Sequence, residues 1–290
     1  MNNNILVIGD PMIDVNINLR EIGPNPEDPL CFKTKCIDNK FTLGGAANAA
    51  LALRALGANV YFLAPYGSNP DFLNALEHED IKTFYMDFPA LLSNKDITIK
   101  NRFYLDNDCL LRIDSDHINN IDDELFRKIL SVVGDIDAVL ISDYNKGCVS
   151  DNLVKIVRET LGDVLIVSDP KGTNLEKYVG SDFITPNVKE YNDLRIGESN
   201  FNLSRVILTS SEQGIKYMSK TLPAFNDKPV SVCGAGDIVA AVITRVMPKN
   251  PLPIQIEDTI FLANKAAAIS VSHPNKYKPT LQEIIDAEFC

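Results

Sequence analysis

Apolar positions in this chain gather into short unbroken runs, separated by stretches of helical spacing. Ile5-Leu-Val-Ile8, closed by Gly9, has the pattern of a strand buried on both faces of a sheet. Ala138-Val-Leu-Ile141 and Val164-Leu-Ile-Val167 repeat it, and each is followed by Ser-Asp. Gly44-Gly-Ala-Ala-Asn48 opens an Ala/Leu helix that Gly57 stops. Strand-then-helix units run on from Val60. Phe183-Ile-Thr-Pro-Asn187 turns into another helix, Val206-Ile-Leu-Thr209 leads into a polar loop, and Ile254 to Cys290 reads as helices. Such alternation predicts an α/β fold. Residues 15–42 break the rhythm. Val15-Asn-Ile-Asn-Leu19 and Cys31-Phe-Lys-Thr-Lys-Cys-Ile37 alternate around the turn-rich Gly23-Pro-Asn-Pro-Glu-Asp-Pro29, which predicts two short strands outside the main sheet. With Ile97–Tyr104 and Leu110–Ile113 they would form a small β-lid, whose exposed edge invites cover by a substrate or a second copy.

One later stretch carries candidate chemistry. Pro229-Val-Ser-Val-Cys233 enters with alternating β-branched residues, Gly234-Ala-Gly236 makes a flexible step, and Asp237 lies in the first turn of an apolar helix. Amides at a helix start have no intrahelical partner and favour anions, and glycines let a ligand approach them closely. Asp237 could take the proton from a hydroxyl attacking a phosphoryl group, or it could only favour the helix dipole. Asp14 follows the first strand, where open α/β sheets keep their ligands, though it could equally cap a turn. Asn48 offers a donor and an acceptor beside paired glycines that could instead serve helix packing. Asp143 with Lys146, and Asp169 with Lys171, place charges at the ends of two strands, as phosphate-holding groups or as surface ion pairs. Glu190 could hold water on Mg²⁺ or answer a helix dipole.

Composition narrows the setting. The 290 residues, 45% hydrophobic and 23% charged, suit one sizeable globular domain or one with a small appendage. A net charge of -11 argues against a nucleic-acid or membrane surface, so an anionic ligand needs local basic groups. No apolar run approaches the roughly 20 residues of a membrane-spanning helix, and Met1-Asn-Asn-Asn lacks a basic leader. Six cysteines (31, 36, 109, 148, 233 and 290) without a CxxC pair read as reduced thiols in a cytoplasmic protein. His78, His117 and His273 are scattered and read as surface or capping residues.

Together these motifs resemble the ribokinase-like carbohydrate kinases over nearly the whole chain. Gly44-Gly-Ala-Ala-Asn48 and Gly234-Ala-Gly-Asp237 are weak markers singly, but they occur in the family's order and separation. The branch of D-glycero-D-manno-heptose 7-phosphate kinases is similar at Gly9-Asp-Pro-Met-Ile-Asp14, Asn25-Pro-Glu-Asp-Pro29, Leu111-Arg-Ile-Asp114 and Ser142-Asp-Tyr-Asn-Lys-Gly147. It is similar again at Asp169-Pro-Lys-Gly-Thr173, Thr185-Pro-Asn-Val-Lys-Glu190 and Ser211-Glu-Gln-Gly214. The resemblance implies a three-layer α/β/α fold with a mostly parallel central sheet. It implies one kinase domain over residues 1–290, with a β-lid from about 15–42 and 96–113 and a homodimer through the lids.

The same resemblance implies ATP and Mg²⁺, with Asp237 as base and the Gly234, Ala235 and Gly236 amides as anion hole. Asp14, Gly44, Gly45 and Asn48 would hold sugar hydroxyls. Arg112, Lys146 and Lys171, with Asp143 and Asp169 beside them, would hold a sugar phosphate. Thr209, Ser211, Gly214, Cys233 and Asn264 fall on the nucleotide side, with Asn187 and Glu190 near its phosphates and the metal. Four departures stand out. Ser231 and Cys233 occupy positions where many relatives place the Asp and Thr of a monovalent-cation site, so potassium activation is not implied. Ile238 replaces the usual Thr, the chain between Glu190 and Val206 is short, and no nucleotidyl-transferring domain follows Cys290. The implied reaction is phosphorylation of the heptose 7-phosphate at its anomeric hydroxyl. A kinase for another sugar or sugar phosphate stays open, as does a catalytically silent sugar- or nucleotide-binding regulator. An NAD-binding Rossmann enzyme is disfavoured, because no G-x-G-x-x-G follows the first strand.

Overall fold

The computed structural model of this chain describes residues 1–290 apart from Pro29, Ser68, residues 92–95, Asn107, Asp227, Asn275, Phe289 and Cys290, and for Ile22 and Phe32 the backbone alone. The Pro29 end of the Asn25–Pro29 motif and the Cys290 thiol therefore lie outside the described residues. In chain order the strands are β1 (Asn4–Gly9), β2 (Pro11–Pro24), β3 (Phe32–Gly45), β4 (Asn59–Leu63), β5 (Lys82–Thr83), β6 (Thr98–Leu105) and β7 (Asp108–Ser115). There follow β8 (Ala138–Ser142), β9 (Leu165–Asp169), β10 (Phe183–Ile184), β11 (Ile207–Thr209), β12 (Ile215–Tyr217) and β13 (Lys220–Leu222). The helices are α1 (Ala46–Ala55), α2 (Pro70–His78), α3 (Asp123–Leu130), α4 (Leu153–Leu161), α5 (Val188–Asp193), α6 (Ala235–Val246), α7 (Pro253–Val271) and α8 (Leu281–Asp286).

The apolar runs build the central sheet, of order β10-β9-β8-β1-β4-β5, in which every pairing is parallel. Ile5 to Ile8 and Ala138 to Ile141 are wholly buried, as strands covered on both faces must be. α1 and α6 pack on each other and on β1, β4, β8 and β9, with α7 against α6, while α3 and α4 pair in the other helical layer. The expected three-layer α/β/α arrangement results. Two isolated bridges, Ile184 to Val206 and Asn187 to Thr209, lead from β10 to a small antiparallel sheet of β11, β12 and β13. Among the described residues no helix is long and apolar enough to cross a membrane. Cys31, Cys36, Cys109, Cys148 and Cys233 are free thiols.

A second sheet, of order β3-β2-β6-β7, rises from the carboxyl end of β1. It joins the four segments assigned to the lid, but β2 and β3 are 14 residues each rather than short, because pairing begins at Pro11 and Gly45. Paired residues share a face of a sheet. The register therefore sets Thr42, Asp14, Lys100 and Asp114 in one row, and Lys40, Asn16, Arg102 and Arg112 in the next row on the same face. The opposite face carries Phe41, Val15, Asn101 and Ile113, then Asn39, Ile17, Phe103 and Leu111. One face is charged and the other largely apolar.

One further expectation needs correction. Pro229 to Cys233 is not a strand: Val230 and Val232 are exposed, and the Val230 and Ser231 amides both donate to the Val271 carbonyl at the end of α7. The C-terminal segment forms two helices, α7 and α8, as its spacing implied, and Pro274 and Pro279, which cannot supply helix amides, fall between them.

Candidate active site

Asp237 is the third residue of α6, six per cent exposed. The helix begins from Gly234, whose backbone is left-handed at φ 84°, and a Cβ there would stand 2.8 Å from Asn48 Nδ2. Only glycine both makes this turn and leaves room for Asn48. Asn48 Nδ2 donates to Asp237 Oδ2 at 2.6 Å, and the Tyr144 hydroxyl donates to Oδ1 at 2.8 Å. Burial raises the Asp237 carboxyl above its ordinary range, while the bonds from Asn48 and Tyr144 and the charges of Lys276 and Lys278 limit the rise. Burial, then the Asp237 charge, pushes the Tyr144 hydroxyl well above its usual value, so it stays a donor.

Tyr144 is held by the residue that follows β1. Asp10 Oδ2 accepts the amides of Tyr144 at 2.8 Å and Lys146 at 3.0 Å, and Oδ1 accepts that of Cys148 at 2.9 Å. One carboxylate thus folds the loop after β8. Asp143 braces the same loop from inside, accepting from the Asn145 amide at 2.6 Å and the Tyr178 hydroxyl at 2.7 Å. Burial raises its carboxyl to about 6, against the pull of Lys177.

On the side of the four-stranded sheet, Asp14 is paired with Arg102 Nη1 at 2.6 Å and with Lys276 Nζ. Burial alone would raise its carboxyl, but Lys276 and Arg102 outweigh that and hold it below the usual range. A Cβ at Gly44 would collide with Asp14 Oδ2, so glycine is required there too. Asn48 Oδ1 and Asn16 Oδ1 are buried and have no hydrogen-bond partner among the described residues. Buried acceptors without donors are costly, and sugar hydroxyls would satisfy them.

On the other side of Asp237 opens a cleft of about 560 Å³, lined by Gly234 to Asp237 and by Asn187, Glu190, Thr209, Ser211, Gly214 and Asn264. Phe225, Ala268 and Val271 add an apolar wall. First-turn amides of α6 face this space without intrahelical partners. Asn187 and Glu190 form a reciprocal cap on α5: each side chain accepts the other's amide, both at 2.9 Å. Glu190 Oε1 also meets Lys171 Nζ at 2.5 Å. Burial, then the charges of Glu190 and Asp237, raise Asp169 well above the carboxylate range.

The model of the family described as pfkB family carbohydrate kinase matches residues 2–283. This chain belongs to that family. Bifunctional protein HldE of Helicobacter pylori (strain P12) is 30% identical over 310 positions, covering 97% of this chain and 65% of its own length. Its counterpart from Campylobacter jejuni subsp. jejuni serotype O:2 is 31% identical, covering 97% and 63%. The chain thus spans less than two thirds of these relatives. Among solved structures, ribokinase from Thermotoga maritima superposes with a TM-score of 0.71 at 18% identity, covering 98% of each chain. Arabidopsis thaliana ribokinase complexed with ribose and ATP gives 0.69 at 14% identity, also covering 98% of each. Phosphofructokinase-2 from Escherichia coli in complex with potassium gives 0.71 at 17%, covering 98% of this chain and 97% of its own. These three share the fold.

In this family member, Asp237 lies between Asp14, Gly44, Gly45 and Asn48 on one side and the 560 Å³ cleft on the other. Besides Asp14, Gly44, Gly45 and Asn48, three expected residues stand apart from the cleft wall. Cys233 is exposed outside it, Arg112 is engaged with Asp114 at 2.6 and 2.7 Å, and Lys146 pairs with Asp116 at 2.7 Å. The pairings of Asp143 with Lys146 and of Asp169 with Lys171 do not form. Left-handed turns at Asn145 (φ 56°) and Gly147 (φ 101°) direct the first loop away, and Lys171 reaches Glu190 instead. Sequence reasoning passed over Tyr144, Asp10, Asn16, Lys100, Arg102 and Lys276. Tyr144 and Asp10 stood inside quoted motifs, whereas the others carried no local signal.

Among the described residues no three His, Cys, Asp or Glu side chains converge into a metal cage. Asp169 and Glu190 instead share one side of the cleft and repel each other. One or two carboxylates beside nucleotide phosphates suit Mg²⁺, which keeps several of its waters. The residues fit the ion.

Proposed function

We propose that this chain is an ATP-dependent kinase that phosphorylates D-glycero-D-manno-heptose 7-phosphate at its anomeric hydroxyl, giving heptose 1,7-bisphosphate. The observation that carries the kinase reading is the placement of Asp237. A buried carboxylate of raised basicity lies where a sugar-side set with unfilled acceptors meets a cleft of nucleotide size. The sugar oxygen would attack the γ-phosphorus as the bond to the β-phosphate breaks, its proton passing to Asp237 and ADP leaving. Amides at the start of α6 would stabilise charge on the transferred group. Mg²⁺, held by Glu190 and Asp169 with its waters, would neutralise the nucleotide phosphates.

The heptose rests on the quoted branch motifs and on the HldE relatives at about 30% identity. The apolar outer face of the four-stranded sheet, with Leu111, Ile113 and Phe41 exposed, supports a homodimer through that sheet. A product-resolved assay with heptose 7-phosphate, fructose 6-phosphate and ribose tests the reading. The highest kcat/KM is expected with heptose 7-phosphate. A preference for either other sugar would replace the substrate, and no ADP formation with any sugar would overturn the kinase.

A further inference from the structure

Between α7 and α8 a lysine occupies a backbone position that favours glycine. Lys276 has φ 54°, in the left-handed region, which is costly for a residue with a Cβ. Asp80, Asp106, Asn145 and Asn250 adopt it too, but short polar side chains bond locally and tolerate it, and a lysine has no such compensation. Neighbouring contacts hold Lys276 there. Ser270 Oγ donates to the Tyr277 carbonyl at 2.7 Å, the Tyr277 ring stacks on His273 at 4.3 Å, and its hydroxyl donates to Glu283 Oε1 at 2.6 Å. Lys278 Nζ donates to the carbonyl of Lys276 itself at 3.0 Å. What the strained backbone delivers is the side chain, which is 15% exposed. Its ammonium pairs with Asp14 Oδ2, and its Cγ lies 3.7 Å from where a Cβ on Gly234 would stand. The same charge lowers the Asp237 carboxyl against the larger effect of burial.

We propose that Lys276 is a positioning residue that ties the Asp14 carboxylate to the Gly234 turn from which Asp237 starts, and that its backbone strain is retained for that task. The proposal rests on the kinase reading of Asp237 and adds a residue to that site. Asp14 Oδ1 is taken by Arg102 and Oδ2 by Lys276, so the carboxylate is fixed from two sides while keeping lone pairs for sugar hydroxyls. The two cations come from different bodies. Arg102 belongs to β6 of the four-stranded sheet, whereas Lys276 belongs to the segment that follows α7. That helix end also carries the chain leading to Gly234, since the Val230 and Ser231 amides donate to the Val271 carbonyl. With Arg102 alone, Asp14 would answer only to the sheet. Lys276 adds a tie to the turn that carries the amides and the base, so a sugar on Asp14 is held in register with the point of phosphoryl transfer. Glycine at 276 would relax the backbone and lose the tie.

Lys276→Ala, Lys276→Gly and Lys276→Arg in the full chain test this by ADP release, calorimetry and urea melts, with heptose 7-phosphate, fructose 6-phosphate and ribose as probes. Ala and Gly both remove the ammonium, but glycine takes the left-handed backbone freely, so Lys276→Gly should melt at a higher urea concentration than Lys276→Ala. Activity should not follow stability. In both variants KM for the sugar should rise about tenfold and kcat should fall about fivefold or more, with KM for ATP within about twofold of wild type. Lys276→Arg keeps a cation for Asp14 and should return the sugar KM to within about threefold of wild type. Activity recovered in Lys276→Gly in proportion to its stability would make the residue a structural one and overturn the proposal. So would a loss confined to KM for ATP. If the unmodified chain turns over a sugar and both small variants match it, the kinase stands and the tie falls. If no sugar yields ADP, the kinase reading falls, and calorimetry decides the tie: sugar binding lost in Lys276→Ala and Lys276→Gly but kept in Lys276→Arg supports it, and equal binding overturns it. No sugar binding by the unmodified chain overturns both.

Discussion

Tyr144→Phe isolates one oxygen beside the proposed base. The substitution removes the hydroxyl that donates to Asp237 Oδ1 at 2.8 Å and leaves the ring, with its contact to Lys100, in place. Asp237 keeps only the Asn48 bond at 2.6 Å. A hydrogen bond to a charged group contributes about 1.5–3 kcal/mol. If the bond serves the ionised base, kcat/KM at neutral pH should fall by about 10- to 150-fold. The sign of the pH effect follows from the same bond. Tyr144 lowers the Asp237 carboxyl against the larger effect of burial. Its loss raises that carboxyl further, so the acidic limb of the kcat/KM profile should move to higher pH. The assay is ADP release across pH with saturating ATP, alongside a urea melt. A variant whose acidic limb stays in place and whose rate is within about threefold of wild type would refute the coupling. A variant that loses only stability would show that the hydroxyl serves folding alone.

Asp237→Asn cannot accept the proton, and kcat should fall by about 10²–10⁴ while calorimetry finds ATP and sugar binding close to wild type; more than about a third of the kcat remaining would exclude it as base. Ser231 and Cys233 offer no carboxylate to a monovalent ion, and the ammonium groups of Lys276 and Lys278 act on the same turn. Rates in sodium, potassium and tetramethylammonium salts should therefore agree within about twofold, roughly 0.4 kcal/mol, and a clear potassium dependence would refute this. Leu111→Asp, on the apolar face of the four-stranded sheet, should shift sedimentation from dimer to monomer; an unchanged sedimentation coefficient would count against that interface.

What could be read in the sequence was what one segment states by itself. The unbroken apolar runs at Ile5 and Ala138 require burial on both faces, so the parallel sheet follows from them. Gly234-Ala-Gly-Asp237 requires a left-handed start and a carboxylate in the first turn, and both are present. Pro229 to Cys233 misled because alternation promises a strand only where a neighbouring strand accepts the ladder, and here the amides go to α7. The lysines misled in another way. Lys146 and Lys171 are close to Asp143 and Asp169 in sequence, but their partners are Asp116 and Glu190, chosen by how the loops turn.

The same reasoning explains why the base was legible while its acidity was not. Asp237 belongs to a motif, but its proton affinity depends on Asn48 from α1, Tyr144 from the loop after β8, and Lys276 and Lys278 from the segment before α8. Tyr144 is in turn placed by Asp10, just after β1. Lys100 comes opposite Asp14 only because β6 joins β2 in parallel at that register, and a shift of one residue would turn it to the apolar face. Net charge already demanded local cations for an anionic ligand, and strand pairing decided which ones stand beside Asp14. The acid–base and charge properties of this site are therefore products of topology. Substitutions at Asp10, or at the β2–β6 register, should alter them without touching Asp237 or any side chain bonded to it.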